Sequence, residues 1–219
     1  MGYLDIKLPF EEFKLSAEKV SLDKIYSALY CILSEEEYNK KMFDLLVSLL
    51  PETGLNGILC DALKKENKEA VEKILERYQF SSKTNLRLLD VCPVTMVHYI
   101  LDHPEFQALS SSHIFYIRNP DIFEAYLKKY EPNFKEVAIL MEDNPYNMYE
   151  SHLAVWFRLF GLKGFSKKTL YYLLKNTNST LRQTLAELDP SLQPYLNKIL
   201  HQEEMSRQHN PMNRLFDSN

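Results

Sequence analysis

The sequence predicts an all-α fold: an α-solenoid of short helix-turn-helix repeats with helical N- and C-terminal caps. Three observations carry that expectation. Glycine is scarce, at 5 of 219 residues, against an ordinary frequency of roughly 7%. Apolar residues recur at helical spacing along most of the chain. From about residue 54 the pattern also repeats at a fixed interval of 26 residues, and a period of that order marks stacked units.

Residues 1–53 read as an arm and a helical pair that cap the array. Leu4, Ile6 and Leu8 alternate with polar residues, which suits a short extended segment ended by Pro9. Residues 1–20 are otherwise read as irregular. Leu22, Ile25, Tyr26, Leu29 and Leu33 then fall on one helical face. Ser34 followed by Glu37 has the form of a capping box opening a second helix, with Tyr38, Met42, Leu45, Leu46 and Leu49 on its apolar side. Pro51 closes that helix, because the residue before a proline is pushed out of the helical region.

Residues 54–157 read as four units of about 26 residues. Val71, Ile74 and Leu75 recur as Val97, Ile100 and Leu101, then Phe123, Tyr126 and Leu127, then Tyr149, His152 and Leu153. Ala62 and Leu63 recur as Leu88 and Leu89, Ile114 and Phe115, and Leu140 and Met141. A turn-former separates the two helices each time: Asn67, Pro93, Asn119 and Pro145. A single pair of short helices cannot bury its apolar face, whereas stacked pairs share a continuous core.

The stretch Ala62-Leu-Lys-Lys-Glu-Asn67-Lys-Glu69-Ala-Val71-Glu-Lys-Ile74-Leu75 resembles the helix-turn-helix half of the ankyrin repeat. That family's period is about 33, so the resemblance implies an ankyrin-like array without the projecting β-hairpin fingers. The Thr-Pro-Leu-His opening is absent. By the same resemblance, the first helix of each pair lines a concave binding face.

Residues 158–205 read as a C-terminal helical subdomain, and residues 206–219 as a frayed polar tail. A helix over 147–160 ends at Gly161. Helices follow through Leu174 and through Leu181, Leu185 and Leu188. A last helix after Pro190 carries Tyr195, Leu196, Ile199 and Leu200. The string Gly161-Leu-Lys163-Gly164-Phe-Ser166-Lys167-Lys168-Thr169 resembles the hairpin of helix-hairpin-helix proteins, above all that of structure-specific 5′ nucleases. There, glycines let the backbone approach a phosphate and lysines add charge. The resemblance implies nucleic-acid contact through Gly161, Lys163, Gly164, Lys167, Lys168 and Thr169. Ser166 stands where the family has its last glycine, and no cluster of metal-binding acids precedes the string.

Charge supports that alternative locally. The chain carries −4, which excludes a globally basic nucleic-acid binder. Residues 151–186 nevertheless hold Arg158, Lys163, Lys167, Lys168, Lys175 and Arg182 with no acid, a segment of +6 that leaves −10 for the rest.

Cys31, Cys60 and Cys92 are odd in number and far apart, which suits reduced, buried thiols in an intracellular, cytoplasmic protein. No run approaches the 18 or so apolar residues of a membrane span, and the N-terminal segment lacks the pattern of a secretory leader. His98, His103, His113, His152, His201 and His209 form no recognised metal motif. His152 falls on a core column and reads as a core histidine. No phosphate loop, nucleophile elbow or dinucleotide fingerprint is present. No cofactor, metal or catalytic residue is therefore expected, although an enzyme site without a recognisable motif stays open as a third reading.

On the outward side of the predicted first helices lie Asp61, Lys64, Arg87, Asp90, His113, Tyr116 and Glu142, with Arg118 beside them. Mixed charge around an aromatic suits a protein-binding groove. The leading expectation is a non-enzymatic protein–protein interaction module whose partner lies on the concave face. A bacterial or viral effector acting in a host cytosol is one setting for it.

Overall fold

A computed structural model of the chain describes residues 4–35, 38–143 and 149–209. It is all-helical, with helix over 72% of the chain and no strand among the described residues. The chain divides into two compact units, Met1–Tyr130 and Glu131–Asn219. The division falls between the third and fourth expected repeats.

The first unit contains α1 (Phe10–Ala17), α2 (Leu22–Ser34), α3 (Lys40–Leu49), α4 (Leu55–Lys64), α5 (Lys68–Leu75), α6 (Ser82–Val91), α7 (Val97–Leu101), α8 (Ser111–Ile114) and α9 (Pro120–Lys129). α4 packs against α2 and α6, while α3 packs against α1 and α5, and α7 against α9. Alternate helices thus form two layers. α2, α4 and α6 make one, and α1, α3 and α5 make the other.

Side chains tie each pair to the next. Arg77 donates to the carbonyls of Val47 (2.6 Å) and Leu50 (3.1 Å). Thr95 donates to Glu66 (2.7 Å), Lys129 to Asp102 (2.6 Å) and Tyr130 to the Leu101 carbonyl (3.0 Å). These partners lie 27 to 30 residues apart, close to the sequence period.

The expected core columns are buried throughout the first three copies, from Ala62 and Leu63 to Tyr126 and Leu127. Asn67 and Asn119 each cap the following helix with their side-chain oxygens, satisfying N–H groups that the helix leaves unpaired. α4 ends in a Schellman turn, in which Asn67 N–H donates to Ala62 O and Glu66 N–H to Leu63 O. The turn holds Glu66 at φ 53°.

Several expectations need correction. Residues 10–17 are helical, because Phe13 and Ala17 lie one turn apart on a buried face and Pro9 stands at the helix entry. Ser34 does not open α3. It is the last residue of α2, and its hydroxyl donates to the Tyr30 carbonyl. Asn39 is the cap of α3, accepting from Met42 N–H. Leu22 and Cys31 are exposed. α7 has only five residues because Pro93 first sets a 3-10 turn over Val94–Met96.

The second unit contains α10 (Phe134–Asp143), α11 (Glu150–Phe160), α12 (Lys167–Asn176), α13 (Ser179–Leu188) and α14 (Gln193–His209). α10 packs on α12 and α12 on α14, while α11 packs on α13, the same alternation as in the first unit. Trp156 is the centre of its core, ringed by Phe134, Phe160 and Phe165 at 5.1–6.1 Å. His152 and Leu153 are buried, but Tyr149 is exposed at the entry of α11 and does not fill its expected core column. Pro145 lies outside the described residues. α14 runs to His209, past the point at which the tail was expected to fray, and its Tyr195, with its ring 4.2 Å from that of Tyr171, and its Leu200 are exposed.

Candidate protein-binding face

α2, α4 and α6 lie side by side in one layer, and their outward side chains meet. The Tyr30 hydroxyl of α2 is set against the Asp61 carboxylate of α4; partial burial together with that carboxylate raises the tyrosine's pKa. The Arg87 guanidinium of α6 faces the Cys60 thiol of α4. Burial pushes that thiol up, and Arg87 and Lys64 pull it partly back. Beyond α6, Arg118 reaches Asp90 at 3.5 Å. The bridges run without a gap from α2 to the turn after α8.

Four of the seven residues expected to bind a partner lie on α4 and α6, and two lie on α8 and the turn after it. Asp61 and Lys64 lie on α4 with their charges 3.9 Å apart, Arg87 and Asp90 on α6, His113 on α8, and Tyr116 in the turn that follows. Tyr116 is 55% exposed, and its ring lies 6.3 Å from that of His113. The His113 ring nitrogen shares a 2.8 Å hydrogen bond with the Ser110 hydroxyl. Glu142 is the seventh of these residues. It lies on α10 in the second unit, and its side chain is outside the described residues.

Tyr30 and Lys65 belong to the same face and were missed. A shift of 30 would have found Tyr30. It places Ile25, Ala28, Leu29, Ile32 and Leu33 on Leu55, Ile58, Leu59, Ala62 and Leu63, all of them buried, and so sets Tyr30 over Cys60. Lys65 sits one turn after Asp61 and donates to the Ser34 hydroxyl of α2 at 3.0 Å.

The glycine string of the second unit is built differently. Gly161 (φ +58°) ends α11, and Gly164 (φ +90°) lies so close to α10 that a Cβ would stand 2.7 Å from the Phe134 carbonyl oxygen. Lys163 pairs with Glu131 at 2.9 Å and lies 3.9 Å over the Phe134 ring. Ser166 caps α12 by accepting from the Thr169 N–H, and Thr169 is buried. The close approach that Gly164 permits is therefore made to the protein's own backbone. Lys167 and Lys168 are exposed. Of the six cations in the basic segment, Arg182 is also engaged, with Glu203 at 2.8 Å and the Lys175 carbonyl at 3.2 Å.

A cleft of about 670 Å³ beside Arg182 is lined by Thr177, Asn178, Ser179, Leu200, Glu203 and Glu204. Among the described residues that line it, the cation Arg182 is paired with Glu203, and no nucleophile–base arrangement of the kind acyl or phosphoryl transfer requires is present. Among the described residues no three His, Cys, Asp or Glu side chains gather as a metal-holding group, and no described helix is long and apolar enough to cross a membrane. No family model matches the chain, and neither a curated protein nor a solved structure matches it.

Proposed function

We propose that the chain is a non-enzymatic interaction module that binds a partner protein on the outward face of α2, α4, α6 and α8. In this reading the helical pairs form a solenoid-like, ankyrin-like array without β-hairpin fingers, and the binding face is the one that is concave in such arrays. The two alternating layers support the array, as do the ties between residues 27 to 30 apart: each unit touches its neighbours and little else.

The observation that carries the binding site is the unbroken run of side chains from Tyr30 through Asp61, Cys60, Arg87 and Asp90 to Arg118. It holds an exposed aromatic near either end, at Tyr30 and Tyr116. Exposed tyrosines and arginines on a rigid layer are what protein interfaces use as anchors. The test is affinity capture with the intact chain, repeated with Tyr116→Ala and Arg87→Glu after circular dichroism has verified the fold. Loss of the same captured proteins in both variants is expected. An unchanged set would remove the face from consideration.

A further inference from the structure

We infer that the partner presents an acidic polypeptide segment, with carboxylates beside an aromatic or apolar anchor, to the α4–α6 part of this face. The inference rests on the function proposed above and adds the chemistry of the partner. It comes from how charge is sorted by depth. At the centre of the face each acid has the less exposed side chain of its pair. The Asp61 side chain is 29% exposed, lies against Tyr30 and pairs with Lys64; the Asp90 side chain is 31% exposed and pairs with Arg118. Their cationic partners stand further out, Lys64 at 56% and Arg118 at 77%.

Among the described residues, three more cations on the same side make no ion pair. Arg87 faces the Cys60 thiol and Lys65 the Ser34 hydroxyl, while Lys83 is exposed one turn before Arg87. Asp23, two turns before Tyr30 on α2, marks the edge of this cationic stretch. Among the described residues five exposed cations, Lys64, Lys65, Lys83, Arg87 and Arg118, thus stand against three exposed acids, Asp23, Glu35 and Asp90, a local excess of positive charge on a chain whose net charge is −4.

A local field of that sign steers acidic partners and repels basic ones. A guanidinium with no carboxylate of its own can take one in a two-pronged pair. Peptide fits better than nucleic acid. The cations are interleaved with two fixed acids that would face a phosphate chain, and Tyr116 offers an anchor beside Arg118 rather than a backbone cradle.

The experiment measures fluorescence anisotropy of a labelled glutamate–tyrosine copolymer with the full chain at about 50 and 200 mM salt, a range over which surface charge pairing weakens. Polylysine and a single-stranded DNA oligonucleotide are run in parallel. The copolymer should bind at the lower salt. Arg87→Glu and Arg118→Glu should each weaken it by about tenfold or more, which is about 1.4 kcal/mol. Lys128→Glu, in a surface pair with Glu124 on α9, should leave it unchanged.

Failure of the copolymer to bind at low salt, equal binding of polylysine, or DNA binding with the same variant sensitivity would overturn the inference. If the copolymer fails while affinity capture still depends on Tyr116 and Arg87, the face stands and the acidic partner falls. If both fail, the face falls as well.

Discussion

Alanine at Gly164 and alanine at Gly161 should differ, and the difference follows from the surroundings. Both glycines have positive φ, +90° and +58°, so either substitution strains the backbone by about 1–3 kcal/mol. At Gly161 a Cβ would meet nothing within 4 Å. At Gly164 it would lie 2.7 Å from the Phe134 oxygen, 2.8 Å from the Phe134 Cβ and 3.0 Å from its carbonyl carbon. Most of that neighbourhood is main chain at the start of α10, which cannot swing aside as a side-chain tip can, and such overpacking costs about 1–3 kcal/mol more. Urea unfolding followed by tryptophan fluorescence reads the effect directly. Trp156 is the chain's one tryptophan, is fully buried, and has its ring 5.7 Å from that of Phe134. With a slope near 2 kcal/mol per molar urea, Gly164→Ala should unfold about 0.5–1.5 M earlier than Gly161→Ala. Equal midpoints, or a larger loss at Gly161, would refute the assignment of Gly164 to packing against α10.

Other substitutions test the ties between helical pairs. Arg77→Met removes the charged donor from the Leu50 carbonyl and from the Val47 carbonyl, which keeps only the Leu50 N–H, and should cost about 1.5–3 kcal/mol, whereas Lys128→Met, at an exposed pair, should stay within about 0.5 kcal/mol; thermal melts separate the two. Asn39→Ala, Asn67→Ala and Asn178→Ala each remove a helix cap and should each cost about 1 kcal/mol in chemical denaturation. Burial pushes the Cys92 thiol from 9.0 to about 12 and the Tyr126 hydroxyl from 10.0 to about 12. The folded chain therefore keeps protons that the unfolded chain releases. Their contribution is fully present below pH 9 and is lost as pH rises toward 12. The melting temperature should fall across that window, and Cys92→Ala should flatten the part of the decline that begins near pH 9.

The helical character was legible because few glycines and a 3.6-residue apolar pattern leave little room for sheet. The five columns of buried residues in the three copies from Ala62 to Leu127 were legible because each copy repeats at a constant interval. Legibility failed where the interval changes. Between α2/α3 and α4/α5 the first helices are offset by 30 and the capping asparagines, Asn39 and Asn67, by 28. A search at a fixed 26 could not align them, and the pair was set aside as a cap.

α1 was missed because Phe13 and Ala17 give only one buried turn and the preceding alternation looked extended. At the glycine string the residue types do suit phosphate contact. What a sequence cannot say is whose backbone the glycine will approach, and here it is Phe134. The partner face was half legible. Charged positions on first helices could be named, but that Asp61 and Asp90 sit low while Lys64 and Arg118 stand high depends on packing between helices.

That sorting by depth also bears on how binding and stability relate. The core of the first unit is made by columns such as Leu59, Leu63, Leu88 and Leu89, which are fully buried. Arg87, Arg118 and Tyr116 lie outside those columns and are exposed, and exposed pairs contribute little to folding. Charge reversal on the face should therefore change what is bound without unfolding what binds. In a stack where each pair leans on the next, the side chains between pairs set the rigidity of the surface, and a rigid surface loses less entropy on binding. Arg77 acts in that way: it fastens α5 to the end of α3, in the layer behind the face, and so holds the support on which Asp61 and Arg87 are displayed.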